Sequence, residues 1–248
     1  MSTHQAESDS SVQRYARAAG LLFLITIFAG FFGELYVPSH IIVPGDALAT
    51  AGNLATSRML FNAGFASYLI EAVCDVLLSW LMYVLLRPAH RDLSLLAAFL
   101  GLVSTCLFAV GEVFFFAPPL LLDGGASVAA FSTTQVSALI LLALRLYGRV
   151  SSMYMLFYGM AVVLRGYLII RSTYLPKLIG VLMCIAGVGF IVRNVAFVLS
   201  PSYASDLLLA PMLLATLSVS VWLLVKGIDV QGWRAKAARA GVDGPSPG

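Results

Sequence analysis

The chain has 248 residues, of which 60% are hydrophobic and 11% are charged, with a formal net charge of +3. That balance excludes an ordinary soluble domain and marks a polytopic membrane protein. A bilayer core asks for about 20 apolar residues per helix. In chain order, residues 16–37, 60–86, 93–117, 149–171, 177–199 and 206–228 meet that length. The expected fold is all-α: a transmembrane bundle of six spans over residues 14–230. Residues 1–13 are polar and Ser-rich and read as a disordered cytoplasmic tail. Residues 231–248 read as a basic juxtamembrane segment, Trp233 to Arg239 resting on anionic headgroups, followed by a disordered tail.

The first span should be retained rather than cleaved, because it ends in Gly33-Glu34-Leu35-Tyr36 and not in a small-residue cleavage site. Lysine and arginine placement orients the bundle. Arg14, Arg17, Arg87, Arg91, Arg171, Lys177, Lys226, Arg234, Lys236 and Arg239 all fall on one side, which puts both termini in the cytoplasm. The net positive charge is thereby a topology signal and excludes nucleic acid as a partner; membrane lipids remain. The connections 38–57 and 118–133 carry paired Pro and Gly and read as turn-rich loops too short to fold as domains. Ser132 and Gln135 have the spacing of a capping box. A helix from there to Arg171 would be about 55 Å long, so an interfacial piece over 134–147 and a break near Gly148 are expected, with one long tilted helix as the alternative. Cys74, Cys106 and Cys184 lie inside spans and form no disulfide framework; packing is the expected role.

The second span carries the sharpest signal. Tyr68, Glu71, Asp75 and Ser79 recur at three- and four-residue spacing and form one polar stripe. A charged carboxylate at a bilayer centre costs about 2.5–3.5 kcal/mol, so this stripe must face the bundle interior or a partner subunit. Glu71 and Asp75 lie one turn apart, and like charges in a desolvated site resist joint ionisation. Such a pair suits general acid chemistry or proton carriage, which makes Glu71 and Asp75 the candidate catalytic residues. Tyr68 and Ser79 flank them as candidate ligand contacts.

A second set lies nearer the other face. Glu34 and Glu112 sit about 30 Å and about 29 Å along their helices from the basic ends, and Arg193 about 24 Å along its own, followed by Asn194. Arg145 and Arg149 are one turn apart. Glu34, Glu112, Arg149, Arg193 and Asn194 complete the candidate ligand-binding set. Plain structural pairing, Arg193 with Glu112, competes with that reading and satisfies both charges. Arg165 lies near the cytoplasmic end and reads as a snorkelling residue. Gly180, Cys184 and Gly187 share a face, and Ala29/Gly33 and Ala97/Gly101 form small-xxx-small pairs, the marks of close helix contact.

No Gly-x-x-x-x-Gly-Lys and no Gly-x-Ser-x-Gly occurs, and three histidines outside confident spans exclude a bis-histidine haem. No cofactor is expected. No metal site is expected either, though Glu71, Asp75 and Glu112 together have the chemistry of a hard-cation site.

Three stretches carry a resemblance. They are Ala16-Arg-Ala-Ala-Gly20-Leu-Leu-Phe-Leu-Ile25; residues 57–88, including Tyr68-Leu-Ile-Glu71-Ala-Val-Cys-Asp75; and Gly166 through Tyr174-Leu-Pro176-Lys-Leu-Ile-Gly180. Over about residues 14–228 the chain resembles a bacterial family of six-helix membrane proteins catalogued only as a domain of unknown function. The resemblance implies fold, bacterial inner-membrane location and multi-pass topology, and carries no activity to transfer. Glu112, Arg145, Arg149 and Arg193 lie outside its stretches.

Three functions fit. The favoured one is an acidic pocket that binds, and in the extended form converts, a small lipid-soluble molecule. Acid-initiated isomerisation or cyclisation of an isoprenoid-like compound would use aromatic residues such as Phe114, Phe115, Phe116, Tyr154, Phe157 and Tyr158 to stabilise positive charge. The second is a proton-coupled carrier working as a homodimer. The third is a non-catalytic sensor, immunity or assembly component whose charges glue helices together. An open polar pocket supports the first two, and a fully paired interior the third.

Overall fold

The computed structural model describes residues 3–125, 128–199 and 205–241, and every regular element among them is helical. α1 (Thr3–Gly30) continues through a π-helical turn (Phe31–Tyr36) into α2 (Val37–Ile41). α3 (Ala47–Thr56), α4 (Arg58–Leu86), α5 (Arg91–Leu122), α6 (Thr133–Ser172) and α7 (Lys177–Leu199) follow. A 3₁₀ turn (Asp206–Leu209) leads into α8 (Ala210–Val225), and α9 (Val230–Ala240) ends the described chain. Among the described residues six helices are long and apolar enough to cross a membrane, over 10–41, 58–86, 91–122, 133–172, 177–199 and 207–225. The protein is an integral membrane protein of the expected all-α class.

The long helices form a closed ring. Each packs on its chain neighbours, and α1 closes the ring by packing on both α4 and α8. The outer surface is apolar: Phe28, Val73, Phe99 and Val192 are all more than half exposed, as befits a hydrocarbon solvent. Two apolar cores fill the ring. One, at the basic end, centres on Phe23, Leu78, Met82, Leu168 and Trp233; the other on Val37, Phe61, Tyr68, Phe115 and Ile140. On α4 the boundary between them falls at Glu71 and Asp75.

Small residues set the tightest seams. A Cβ on Gly180 would stand 2.6 Å from the Gly166 carbonyl, and one on Gly187 2.7 Å from the Gly159 carbonyl, so α6 and α7 meet backbone to backbone. Cys184 Sγ donates to the Val163 carbonyl at 3.5 Å in the same seam. Cys106, by contrast, is exposed on the outer surface and packs no interior. Between α1 and α8, Ser220 Oγ donates to the Gly20 carbonyl at 2.7 Å.

Four expectations change. The break near Gly148 is absent and the alternative of one long helix holds: α6 has 40 residues and is about 60 Å long. Its N-terminus is the expected capping box, with the Gln135 amide donating to Ser132 Oγ at 3.3 Å and the Ser132 amide to Gln135 Oε1 at 2.8 Å. The connection 38–57 is no open loop. Asp46 caps α3, which seats Ala51 and Leu54 in the second core. The segment read as a disordered tail is helical from Thr3, Val12 is 1% exposed, and Gln13 bonds both the Lys226 carbonyl and the Ile228 amide. The basic C-terminal segment folds as α9 and docks on the bundle rather than on lipid alone. Trp233 is 1% exposed and shares the Leu85 carbonyl with Tyr174, their bonds being 2.9 and 2.8 Å. Burial pushes the Tyr174 phenol above its ordinary range. The tail beyond residue 241 lies outside the described residues.

The continuous α6 makes opposite predictions for two of its glycines. No atom lies within 4 Å of a Cβ built on Gly148, so Gly148→Ala should stabilise by about 0.5–1 kcal/mol. At Gly166 a Cβ meets the Gly180 carbonyl at 2.6 Å, and Gly166→Ala should lower stability by about 1–3 kcal/mol. Thermal melts in maltoside micelles check both; a loss at Gly148 would mean that the helix bends there.

Candidate functional site, a carboxylate interior with a lateral cleft

The α4 stripe faces inward, as its spacing predicts. Tyr68 is 0% and Ser79 2% exposed, while Glu71 and Asp75 are half-buried. Opposite it, α6 presents a stripe of which sequence reasoning named only Tyr154 and Tyr158 as interior residues: Tyr147, Tyr154, Tyr158 and Arg165, at spacings of seven, four and seven residues. The two stripes meet at both ends. The Tyr68 and Tyr147 hydroxyls are 3.1 Å apart, and Arg165 Nη2 donates to Ser79 Oγ at 3.2 Å.

Arg165 is therefore no snorkelling residue. It is 3% exposed, lies within electrostatic reach of Asp75 and Tyr158, and occupies space that Gly101 of α5 leaves by lacking a side chain. A Cβ on Gly101 would lie 2.8 Å from Arg165 Nη2 and 2.6 Å from Ser79 Oγ.

The π-helical turn shapes the α1 side. The Ala29 and Gly33 carbonyls accept hydrogen bonds from Ser67 Oγ at 2.7 Å and Tyr68 Oη at 2.8 Å. Interruptions of this kind in a helical ladder are often found at functional sites. The turn carries Glu34, whose Oε1 accepts from the Tyr154 hydroxyl. The Glu71 carboxylate lies against Gly30, where a Cβ would come within 3.2 Å of Oε1, and its enclosed Oε2 makes no hydrogen bond.

The carboxylates expected as two sets form one cluster. Glu34, Asp75 and Glu112 all act electrostatically on Glu71, and Glu34 acts on Glu112. The Glu112–Arg193 pair does not form. Glu112 is 5% exposed, and neither of its carboxylate oxygens has a hydrogen-bond partner. Arg193 instead stands 5.2 Å from the Phe197 ring centre and donates to Asn194 Oδ1 at 3.2 Å. Arg149 lies 5.2 Å from the same ring, and Asn194 turns its amide back onto the Phe190 carbonyl at 2.8 Å. The structure thus brings Glu34, Tyr68, Glu71, Asp75, Ser79 and Glu112 together and gathers Arg149, Arg193 and Asn194 around Phe197. Among the described residues no three His, Cys, Asp or Glu side chains are grouped as metal ligands.

Glu112 lines a cleft of about 220 Å³ between α4 and α5, its carboxylate oxygens buried just behind the apolar lining. Its walls are Phe65, Phe116 and Ala109; Tyr68 and Glu112 form its floor. The rim residues Leu69, Val113 and Leu120 are 54%, 67% and 62% exposed, so the cleft opens sideways, toward the lipid-facing surface. Ring contacts stiffen the wall: Phe65 and Phe116 meet at a tilt with centres 4.3 Å apart, and in the neighbouring core Phe61 stacks on Phe115 at 4.6 Å. At the cleft's outer end the Arg58–Asp123 ion pair, with Arg58 Nη2 donating to the Pro119 carbonyl at 3.2 Å, ties the start of α4 to the end of α5.

A ring of six membrane-length helices around a carboxylate-rich interior defines a class of integral membrane protein. Within that class, the chain belongs to the family described as domain of unknown function (DUF4386), whose model matches residues 18–227. No curated protein and no solved structure matches the chain.

The buried guanidinium supplies a test of the interior. Arg165→Ala strips Asp75 of its nearby positive charge and should cost about 3–5 kcal/mol. Arg171→Ala removes an exposed guanidinium bonded to Tyr167 and should cost no more than about 1 kcal/mol. Denaturation in micelles compares the two; equal losses would return Arg165 to the membrane surface.

Proposed function

We propose that this protein binds a small lipid-soluble, amphipathic molecule, admitted from the bilayer through the cleft between α4 and α5. The observation that supports the reading is Glu112. A buried polar group without a partner costs about 1–3 kcal/mol, more when charged, and native structures rarely keep one without cause. Pairing is evidently available to this fold, since Tyr154 serves Glu34 and Arg58 serves Asp123. An interior built only to glue helices would have treated Glu112 in the same way. The cleft is smaller than the roughly 300–1,000 Å³ of a complete small-molecule pocket. It suits a head group and the first part of a chain, the remainder lying in lipid.

The same proposal places the molecule in a bacterial cytoplasmic membrane with its basic end, and both termini, in the cytoplasm. Arg87, Arg91, Arg171, Lys177 and Lys226 gather at that end by connectivity, which is the positive-inside pattern. The carboxylate cluster is then intramembrane.

Native mass spectrometry of protein extracted gently from its host membrane tests the binding reading. Wild-type protein should carry a specific small-molecule adduct that Glu112→Gln reduces and the cleft-filling Ala109→Phe abolishes. Wild-type protein free of adducts beyond bulk phospholipid would contradict it. For orientation, a green fluorescent reporter fused to the C-terminus should fluoresce and a phosphatase reporter there should be inactive; the reverse pair would invert the topology.

A further inference from the structure

The chemistry of the cleft narrows the ligand. With Glu112 ionised, its polar offering is all acceptor. The two oxygens of Glu112 lie buried just behind the lining with no hydrogen bond among the described residues, and the hydroxyl of Tyr68 is already donated to the Gly33 carbonyl at 2.8 Å. The other lining side chains are apolar. A phosphate, sulfate or carboxylate head group would find no donor there and would face a carboxylate. A neutral alcohol would find one acceptor. A cation would find a carboxylate with the Phe65, Tyr68 and Phe116 rings beside it, and aromatic rings attract cations most strongly where water is excluded.

The charge inventory behind the cleft points the same way. Glu34, Glu71, Asp75 and Glu112 form one cluster, and the guanidinium buried among these side chains, Arg165, is engaged with Ser79 and Asp75 at the far end. Arg149 and Arg193 stand over Phe197. No cation of the chain lies within ion-pairing distance of Glu112 among the described residues. The interior is short of positive charge behind the cleft between α4 and α5.

We infer that the ligand is a lipophilic cation, an ammonium head group on an apolar chain, with Glu112 as its counter-ion and the Phe65, Tyr68 and Phe116 rings around the head group. This inference rests on the binding reading above and adds the class of ligand. Glu112 binds rather than reacts: an ion pair in a site of low dielectric, completed by hydrogen bonds where the nitrogen carries hydrogens, satisfies both oxygens that the fold leaves open.

Photo-crosslinking tests it with defined probes. Three dodecyl chains carry the same diazirine and end in ammonium, hydroxyl or sulfate. Each is added to the full-length protein in phosphatidylcholine nanodiscs, and the labelled peptides are identified by mass spectrometry. The ammonium probe should label the peptides around residues 65–72 and 109–116 about tenfold more than the hydroxyl probe, corresponding to about 1.4 kcal/mol, and the sulfate probe least. Glu112→Gln should bring ammonium labelling down to the hydroxyl level, and Ala109→Phe should remove labelling by both. Equal labelling by ammonium and hydroxyl probes in wild-type protein would overturn the cationic assignment and leave the binding reading standing. Labelling at those peptides by none of the probes above the level of other lipid-facing helices would overturn both. The wild-type comparison alone decides, should either variant fail to fold.

Discussion

A carboxylate in hydrocarbon costs about 2.5–3.5 kcal/mol, and this chain carries four beyond the first turn of helices that are long enough to cross a bilayer. Keeping Glu34, Glu71, Asp75 and Glu112 off the lipid face is the constraint from which the rest of the bundle follows. It turns the α4 stripe inward and demands a wall on every side, which six sequential helices supply by closing α1 onto α8. The ring in turn needs thin seams, and the glycines of α6 and α7 provide the thinnest, where no Cβ keeps the two backbones apart. Two apolar cores then seal the polar layer from either end.

Satisfaction of that polar layer is uneven, and the unevenness is informative. Hydroxyls do most of the work: Ser67 and Tyr68 bond carbonyls of α1, Ser104 Oγ bonds the Tyr154 carbonyl at 2.9 Å, and Tyr154 serves Glu34. Arg165 answers Asp75 at the basic end. The deficit is concentrated at Glu71 Oε2 and at both oxygens of Glu112. Both places are closed to solvent, and Glu112 lies against the lateral cleft. A deficit in the wall, next to an aromatic-lined opening, is where a ligand from the bilayer would complete the structure.

Much of this was legible from spacing alone. Hydropathy and length located six spans, three- and four-residue spacing predicted the face of α4, and Ser132 with Gln135 predicted how α6 begins. The failures share one cause, which is that contacts between distant segments leave no local trace. Glu34 and Tyr154 are 120 positions apart, and nothing near either announces the other. Arg165 looked harmless because depth was judged from its distance to the helix end, whereas its surroundings depend on a glycine in another helix. The seven, four, seven spacing of Tyr147, Tyr154, Tyr158 and Arg165 was the available signal, diluted by the ordinary aromatics of a membrane helix. Glu112 and Arg193 illustrate the opposite error. Opposite charges at similar depth suggested a pair, but helix rotation turns one toward α4 and leaves the other over Phe197.

The account stands on Glu112 facing an open cleft rather than a neighbouring guanidinium. A cryo-electron microscopy map of the wild-type protein in lipid nanodiscs, at a resolution that places side chains, examines that point directly. The account predicts the α4–α5 cleft open to the lipid, with elongated density entering it and ending at the Glu112 carboxylate. Glu112 in contact with Arg193, and α4 and α5 closed against each other over Phe65 and Phe116, would contradict it.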